Sequence, residues 1–143
     1  MGVTDAEFYD ERRIAIIPMG FCFPGLDRNG GDLPPRPECA PAWRTRLMAA
    51  LPQIELVLAV GQYAQGWHLG PPRRPVTEIV RSFADALATG APMAPPGASS
   101  GVPRILPLPH PSWRNTGWLK ANPWFETEVL QHLRLEVRKL IGD

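Results

Sequence analysis

Three short apolar runs are the feature that most limits how this 143-residue chain can fold. They cover residues 13–19, 56–60 and 104–108, and each has the length and composition of one buried strand. The segments that separate them have helical periodicity, so strands and helices alternate along the chain. This alternation predicts the α/β class, and within it a three-layer α/β/α sandwich around a short, mostly parallel sheet.

The spacing of apolar residues predicts helices between these runs. A first helix opens at residues 38–41, and residues 62–69 and 76–87 are predicted to form two more. The predicted buried face of the first helix consists of residues at every fourth position: Trp43, Leu47 and Leu51. Thr77 is a candidate cap of the third helix.

The end of the chain is predicted to be helical as well. A brief helical turn at residues 118–120 precedes a long helix that begins near Phe125. The apolar face of that helix repeats at helical spacing and consists of Phe125, Val129, Leu133, Val137 and Ile141. Its opposite face is charged and is expected to be solvated.

Composition and charge limit the class of protein. The formal net charge is +1, so binding to nucleic acid would depend on a local cluster of basic residues. The N-terminus lacks the charged-then-apolar pattern of a signal peptide, and no stretch has transmembrane length. The sequence therefore predicts a single domain over residues 1–143, located in the cytoplasm and not in a membrane.

The segment at residues 106–115 is the best candidate for a functional site. Its prolines end the predicted strand and stiffen the backbone on both sides of His110. A histidine on a stiff loop at the carboxyl end of a strand lies where open α/β sheets bind their ligands. If the strands are parallel, Gly61 lies at the same edge, since it ends the second run. The residues that follow offer a flat apolar surface, a positive charge and an amide: Trp113, Arg114 and Asn115.

The order Pro-His-Pro-Ser, followed by an aromatic residue, Arg and Asn, resembles the second motif of the uracil-DNA glycosylase superfamily. The resemblance implies that His110 is the catalytic residue, whose neutral ring donates a hydrogen bond to a base flipped out of DNA. It also implies that Trp113 and Pro109 bury this ring and so keep it neutral. The implied DNA-binding residues are Ser112, Trp113, Arg114, Asn115 and Lys120, with Asn122 as a further backbone contact.

Within that set the resemblance implies different roles. Ser112 and Arg114 would hold phosphate groups, and Trp113 would fill the space that the flipped base leaves in the duplex. The reaction implied is hydrolysis of the N-glycosidic bond of uracil, or of another deaminated base, during base-excision repair.

The chain has two cysteines, Cys22 and Cys39. From the residues alone, two buried thiols are the ordinary explanation, and a disulfide is disfavoured in the cytoplasm. Their context, with proline, glycine and arginine after the first and Pro-Glu before the second, resembles the iron–sulfur type of the same family. That resemblance implies that both are metal ligands of a 4Fe–4S cluster in a longer parent protein. Such a cluster needs four thiolates, so no cluster is expected in this chain.

The resemblance covers residues 8–140 and corresponds to the later part of a family member. The family's first motif, which positions the attacking water, is therefore expected to precede Met1, and this chain is expected to be inactive or nearly so. Pro18 stands where the family has a base-reading asparagine, so the base preference is not predicted. Two other functions remain open: a non-catalytic module that binds damaged DNA, and an α/β domain that binds a nucleotide or another small molecule.

Overall fold

The computed structural model describes residues 1–71, 73–89, 103–112 and 115–142, without the side chains of residues 87–89. In chain order the elements are α1 (Asp5–Phe8), α2 (Cys39–Ala50), β1 (Leu56–Val60), α3 (Gly61–Leu69), α4 (Val76–Thr89), β2 (Arg104–Leu108), α5 (Thr116–Ala121) and α6 (Leu130–Ile141). A π-helical turn, Phe125–Val129, leads directly into α6. Within these ranges no helix is both long enough and apolar enough to cross a lipid bilayer.

The described part of the sheet consists of β1 and β2, which pair in parallel. Leu56 lies opposite Arg104, and Val60 lies opposite Leu108. Because parallel neighbours cannot be joined by a tight turn, the chain crosses over between them, and this crossover contains α3 and α4. Both strands were predicted from their apolar runs, and both predictions are confirmed.

Helices cover both faces of the strand pair. On one face Leu106 packs with Val80 of α4 and Leu133 of α6. On the other face Ile105 packs with Ala64 of α3, because successive residues of a strand point to opposite sides. This arrangement of helix, sheet and helix confirms the predicted α/β class and its three layers.

The strand predicted at residues 13–19 is wrong. These residues form no strand, and the Ile16 side chain is 67% exposed. Arg44 Nη1 instead donates hydrogen bonds to the carbonyl oxygens of Ile17 and Pro18, each at 3.2 Å. Pro18 also has no N–H to donate to a neighbouring strand, which disfavours a central position in a sheet.

The buried face predicted for α2 is wrong at Trp43, whereas Leu47 and Leu51 are half-buried. Trp43 is 50% exposed, whereas its neighbour Arg44 is 4% exposed. The guanidinium of Arg44 points inward because it binds the carbonyl groups of the 17–18 segment and the ring of His68. These polar contacts fix the rotation of α2, and a hydrophobic pattern cannot reveal them.

The terminal helical segment follows its predicted pattern. Four members of the predicted face are buried in the core, namely Phe125, Val129, Leu133 and Val137, and Ile141 packs against them. The opposite face is not simply solvated, since Arg138 Nη1 donates to Glu7 Oε1 at 2.6 Å and Arg138 Nη2 donates to the Gly2 carbonyl at 2.7 Å. The N-terminal residues are therefore held against α6.

The contact between Arg44 and His68 predicts that stability falls in mildly acidic solution. Arg44 Nη2 lies 2.7 Å from His68 Nε2. Because a guanidinium can only donate, the ring nitrogen accepts and the ring is neutral. Burial, and then the charge of Arg44, lower the pKa of His68 from 6.5 to about 4. Between these values the unfolded chain binds a proton that the folded chain does not, so stability is lost as the pH falls through this window.

We expect the melting temperature of the wild-type protein, measured by circular dichroism, to fall between about pH 7 and about pH 4.5. The fall should be smaller for His68→Gln, which cannot take up this proton. The control His110→Gln leaves the Arg44–His68 contact intact and should retain the wild-type dependence. An identical pH dependence for His68→Gln and the wild type would contradict the prediction.

Candidate functional site at the carboxyl edge of the sheet

The carboxyl ends of β1 and β2 bring two loops together. β1 continues into α3 at Gly61, and β2 continues into the segment that carries His110. A Cβ atom placed on Gly61 would lie 3.5 Å from the Cβ atom of His110. The φ angle of Gly61 is +79°, a left-handed conformation that favours glycine. The expectation that both loops share one edge of the sheet is confirmed.

A buried glutamine links the two strand ends below this edge. Gln65 is 1% exposed, and its Nε2 atom donates to the Leu108 carbonyl at 2.8 Å and to the Ala59 carbonyl at 3.5 Å. One side chain of α3 therefore satisfies backbone groups of both strands. Because a buried amide fixes geometry more narrowly than apolar packing does, Gln65 holds the base of the His110 loop in place.

The His110 loop is closed by its own hydrogen bonds. The carbonyl oxygen of His110 accepts from the backbone N–H of Ser112 at 2.8 Å and from the side-chain Nδ2 of Asn115. The Ser112 carbonyl accepts from the Asn115 N–H at 2.8 Å. Asn115 also precedes the first residue of α5. Its side chain therefore positions His110.

A cavity of about 270 Å³ opens beside His110, and we refer to it as the site cavity. Its described lining comes from both loops and from the starts of α4 and α5: Gly61, Gln62, Val76, Thr77, Pro109, His110, Asn115 and Trp118. Among these residues His110 alone has a titratable side chain, and none has a carboxylate. The lining can therefore donate and accept hydrogen bonds, and it offers an aromatic surface.

Trp118 forms one wall of the site cavity through fixed contacts. Its indole Nε1 donates to Thr77 Oγ1 at 2.6 Å. Its ring packs edge-on against Phe125, with centroids 5.4 Å apart, and against Trp124, with centroids 6.0 Å apart. Thr77 thus lies inside α4 and binds Trp118, so its predicted role as a cap is wrong.

The residues that form this wall had unequal signals in the sequence. The turn predicted at residues 118–120 follows the His110 loop closely in the sequence. This closeness was the only signal that pointed to Trp118. Thr77 gave no comparable signal, because its pairing with Trp118 joins positions 41 residues apart. The place of Gln62 could be inferred only from its neighbour Gly61.

The predicted site residues have different positions. His110 and Asn115 line the site cavity together, and Ser112 lies half-buried between them. Lys120 is exposed on α5 and is not part of the described lining. Trp113 and Arg114 lie outside the described residues. The His110 side chain is exposed, so the burial predicted for it is not observed.

The two cysteines lie away from the described lining of the site cavity. Cys22 is exposed, and Cys39 is buried at the start of α2. Among the described residues no group of three or more histidine, cysteine or carboxylate side chains is placed to hold a metal ion. Since a four-iron cluster needs four thiolates and the chain contributes two, its donor set does not fit such a cluster.

A comparison with models of known protein families identifies the family of this chain. Residues 2–134 match the family model described as the uracil DNA glycosylase superfamily. The matched range includes β1, β2, the His110 loop and most of the helices that cover the sheet. Because the match extends over nearly the whole sequence, the chain belongs to the uracil DNA glycosylase superfamily.

Proposed function

We propose that this protein binds a deaminated base flipped out of DNA in the site cavity and promotes hydrolysis of its N-glycosidic bond. Membership of the superfamily supports a glycosylase-like function in general. The observation that carries the proposal is the position of His110, the one titratable side chain among the described residues that line the site cavity. Its position at the carboxyl edge of a parallel sheet is where α/β proteins place such groups.

The proposed chemistry follows from the donor that His110 provides. The bond between C1′ and the base breaks with both electrons passing to the base, which leaves an anion and a cationic sugar. A ring N–H of His110 stabilises that anion, an effect that grows as charge develops in the transition state. The oxygen of water then adds to C1′, and the proton released by the water neutralises the base.

The described neighbours of His110 hold this residue in position beside the site cavity. Asn115 and Ser112 hold the backbone of the loop from one side. Gly61, whose φ angle of +79° favours glycine, lies against His110 from the other side. Trp118 provides a surface against which a planar base can pack. We propose that Trp113 acts as a wedge in the DNA and that Arg114 contacts a phosphate group.

The identity of the base is proposed only as a class. Pro18, which occupies the place of the family's base-reading asparagine, does not line the site cavity in its described part, and its carbonyl accepts from Arg44. The side chain of Pro18 has no hydrogen-bond donor or acceptor, so this position cannot recognise the edge of a base. The proposed substrate is therefore uracil or another deaminated base in DNA.

A second candidate function is recognition of damaged DNA without chemistry. It is favoured by the absence of a carboxylate among the described lining residues, since a carboxylate is a common general base for activating water. A flipped base, or the gap at an abasic site, would then be bound and protected.

We expect slow, His110-dependent release of uracil from a uracil-containing oligonucleotide, measured as abasic product after alkaline cleavage. His110→Ala should lower the rate by about a hundredfold to a thousandfold, as loss of one anion-stabilising donor does. Binding to the intact oligonucleotide should change little, because the donor acts on the transition state. His110→Asn retains an N–H donor and should recover part of the rate.

The outcomes separate the two functions. Equal rates for the wild type and His110→Ala would contradict the catalytic role. No release by the wild type, together with preferential binding of abasic-site DNA, would replace the glycosylase with the binding module. Arg134→Ala, an exposed change on α6, serves as the control that should leave both measurements unaltered.

We further propose kinship with the iron–sulfur type of the family, based on the context of Cys22 and Cys39, without a 4Fe–4S cluster in this chain. Protein purified without oxygen should contain iron and sulfide far below one cluster per chain, because two thiolates cannot hold four irons. The measurement is iron and acid-labile sulfide per chain, with Cys22→Ser as the control for bound metal. Equal, stoichiometric iron and sulfide that disappear in Cys22→Ser would overturn the prediction.

A further inference from the structure

A second cavity lies next to the site cavity on the other side of Gln62. Its volume is about 350 Å³, and it is enclosed by α3, by the connection from α3 to α4, and by the first turns of α4. Gln62 lines both cavities, so the two adjoin at this residue. We call it the arginine cavity because Arg73 and Arg74 lie in its wall.

The arginine cavity carries positive charge that the described residues do not neutralise. None of its described lining residues has a carboxylate. Arg74 lies 3.7 Å from Glu78, but both side chains are about half exposed, and such pairs are weak and easily exchanged. Arg73 has no ion pair with any described residue. Two adjacent guanidinium groups in a concave surface are suited to a phosphate group, which they bind through paired N–H donors.

A buried residue in the wall of the arginine cavity also has a polar atom without a partner among the described residues. Gln65 lines the arginine cavity and is 1% exposed. Its Nε2 is used by the strand ends, and its Oε1 has no hydrogen-bond partner in the described part of the chain. A buried acceptor of this kind normally has a donor partner. A ligand that carries an N–H or O–H close to a phosphate would serve both Gln65 and the arginines, and a nucleotide has this chemistry.

We propose that the arginine cavity binds the phosphate, and part of the nucleotide, that adjoins the flipped nucleotide in a single DNA strand. This inference rests on the proposed function, which places the flipped base in the site cavity. In a nucleic acid strand each nucleotide is followed directly by the phosphate of the next. Two cavities that adjoin at Gln62 therefore match two successive units of one strand.

The test measures binding of a fluorescent single-stranded oligonucleotide by anisotropy at several salt concentrations. The double variant Arg73→Ala/Arg74→Ala should weaken binding and reduce the dependence of log K on log salt by about 0.7 for each phosphate contact removed. The matched control Arg12→Ala/Arg134→Ala removes the same charge outside the described lining of both cavities and should retain the wild-type slope. Equal slopes for the two double variants would overturn the proposal.

A second variant removes the site without removing the arginines. A Cβ atom on Gly66 would lie 3.9 Å from Arg73 Nε, which leaves room for a side chain. Gly66→Asp should place a carboxylate beside Arg73 and weaken oligonucleotide binding, whereas Gly66→Asn adds similar bulk without charge and should weaken it less. Melting temperatures identify any variant that fails to fold. Equal affinities for Gly66→Asp and Gly66→Asn would also overturn the proposal.

Two further measurements identify the source of the phosphate and distinguish failure of this proposal from failure of the proposed glycosylase function. Titration with thymidine monophosphate tests for a free nucleotide: arginine-dependent binding of the mononucleotide, with no arginine effect on the oligonucleotide, would overturn the assignment to a DNA strand. Uracil release is measured separately. An arginine-dependent salt slope without uracil release by any variant would support the arginine cavity while contradicting the glycosylase function.

Discussion

The parallel pairing of β1 with β2 is the interaction on which the rest of the structure depends. It places Gly61 and His110 at one edge, although they are far apart in the sequence. Gln65 then joins the two strand ends through their backbone carbonyls. The core packs on both sides of this pair, so a shift of register between the strands would disturb both the packing and the site.

Arg44 has a comparable influence on the other part of the chain. It is a buried cation without a carboxylate partner among the described residues, and it binds backbone oxygens and a neutral histidine instead. Burial of such a group is unfavourable unless its donors are satisfied. Its contacts orient α2 and hold the segment that contains Ile17 and Pro18. Trp43 consequently faces solvent.

Much of the fold could be predicted because apolar patterns report burial directly. The runs that became β1 and β2 are almost continuously apolar, and the face of Phe125 and Val129 repeats about every four residues. The segment at 13–19 has the same composition, yet it forms no strand, since composition does not reveal whether a partner strand is available. The site was predictable at His110, where prolines and a strand end are local signals. Thr77 and Gln65 were not, because their roles come from partners distant in the sequence.

The self-closed geometry of the His110 loop affects how a substrate would be selected. Because the carbonyl of His110 is already bound by Ser112 and Asn115, this part of the loop is ordered before any ligand arrives. Binding then requires little further ordering of His110, Ser112 and Asn115, and the main unfavourable step at this part of the loop is extraction of the base from its stack. On the proposed function, discrimination among DNA sites would follow how weakly each base is stacked and paired. The local stability of the DNA duplex would thus contribute to the choice of the site that the protein binds.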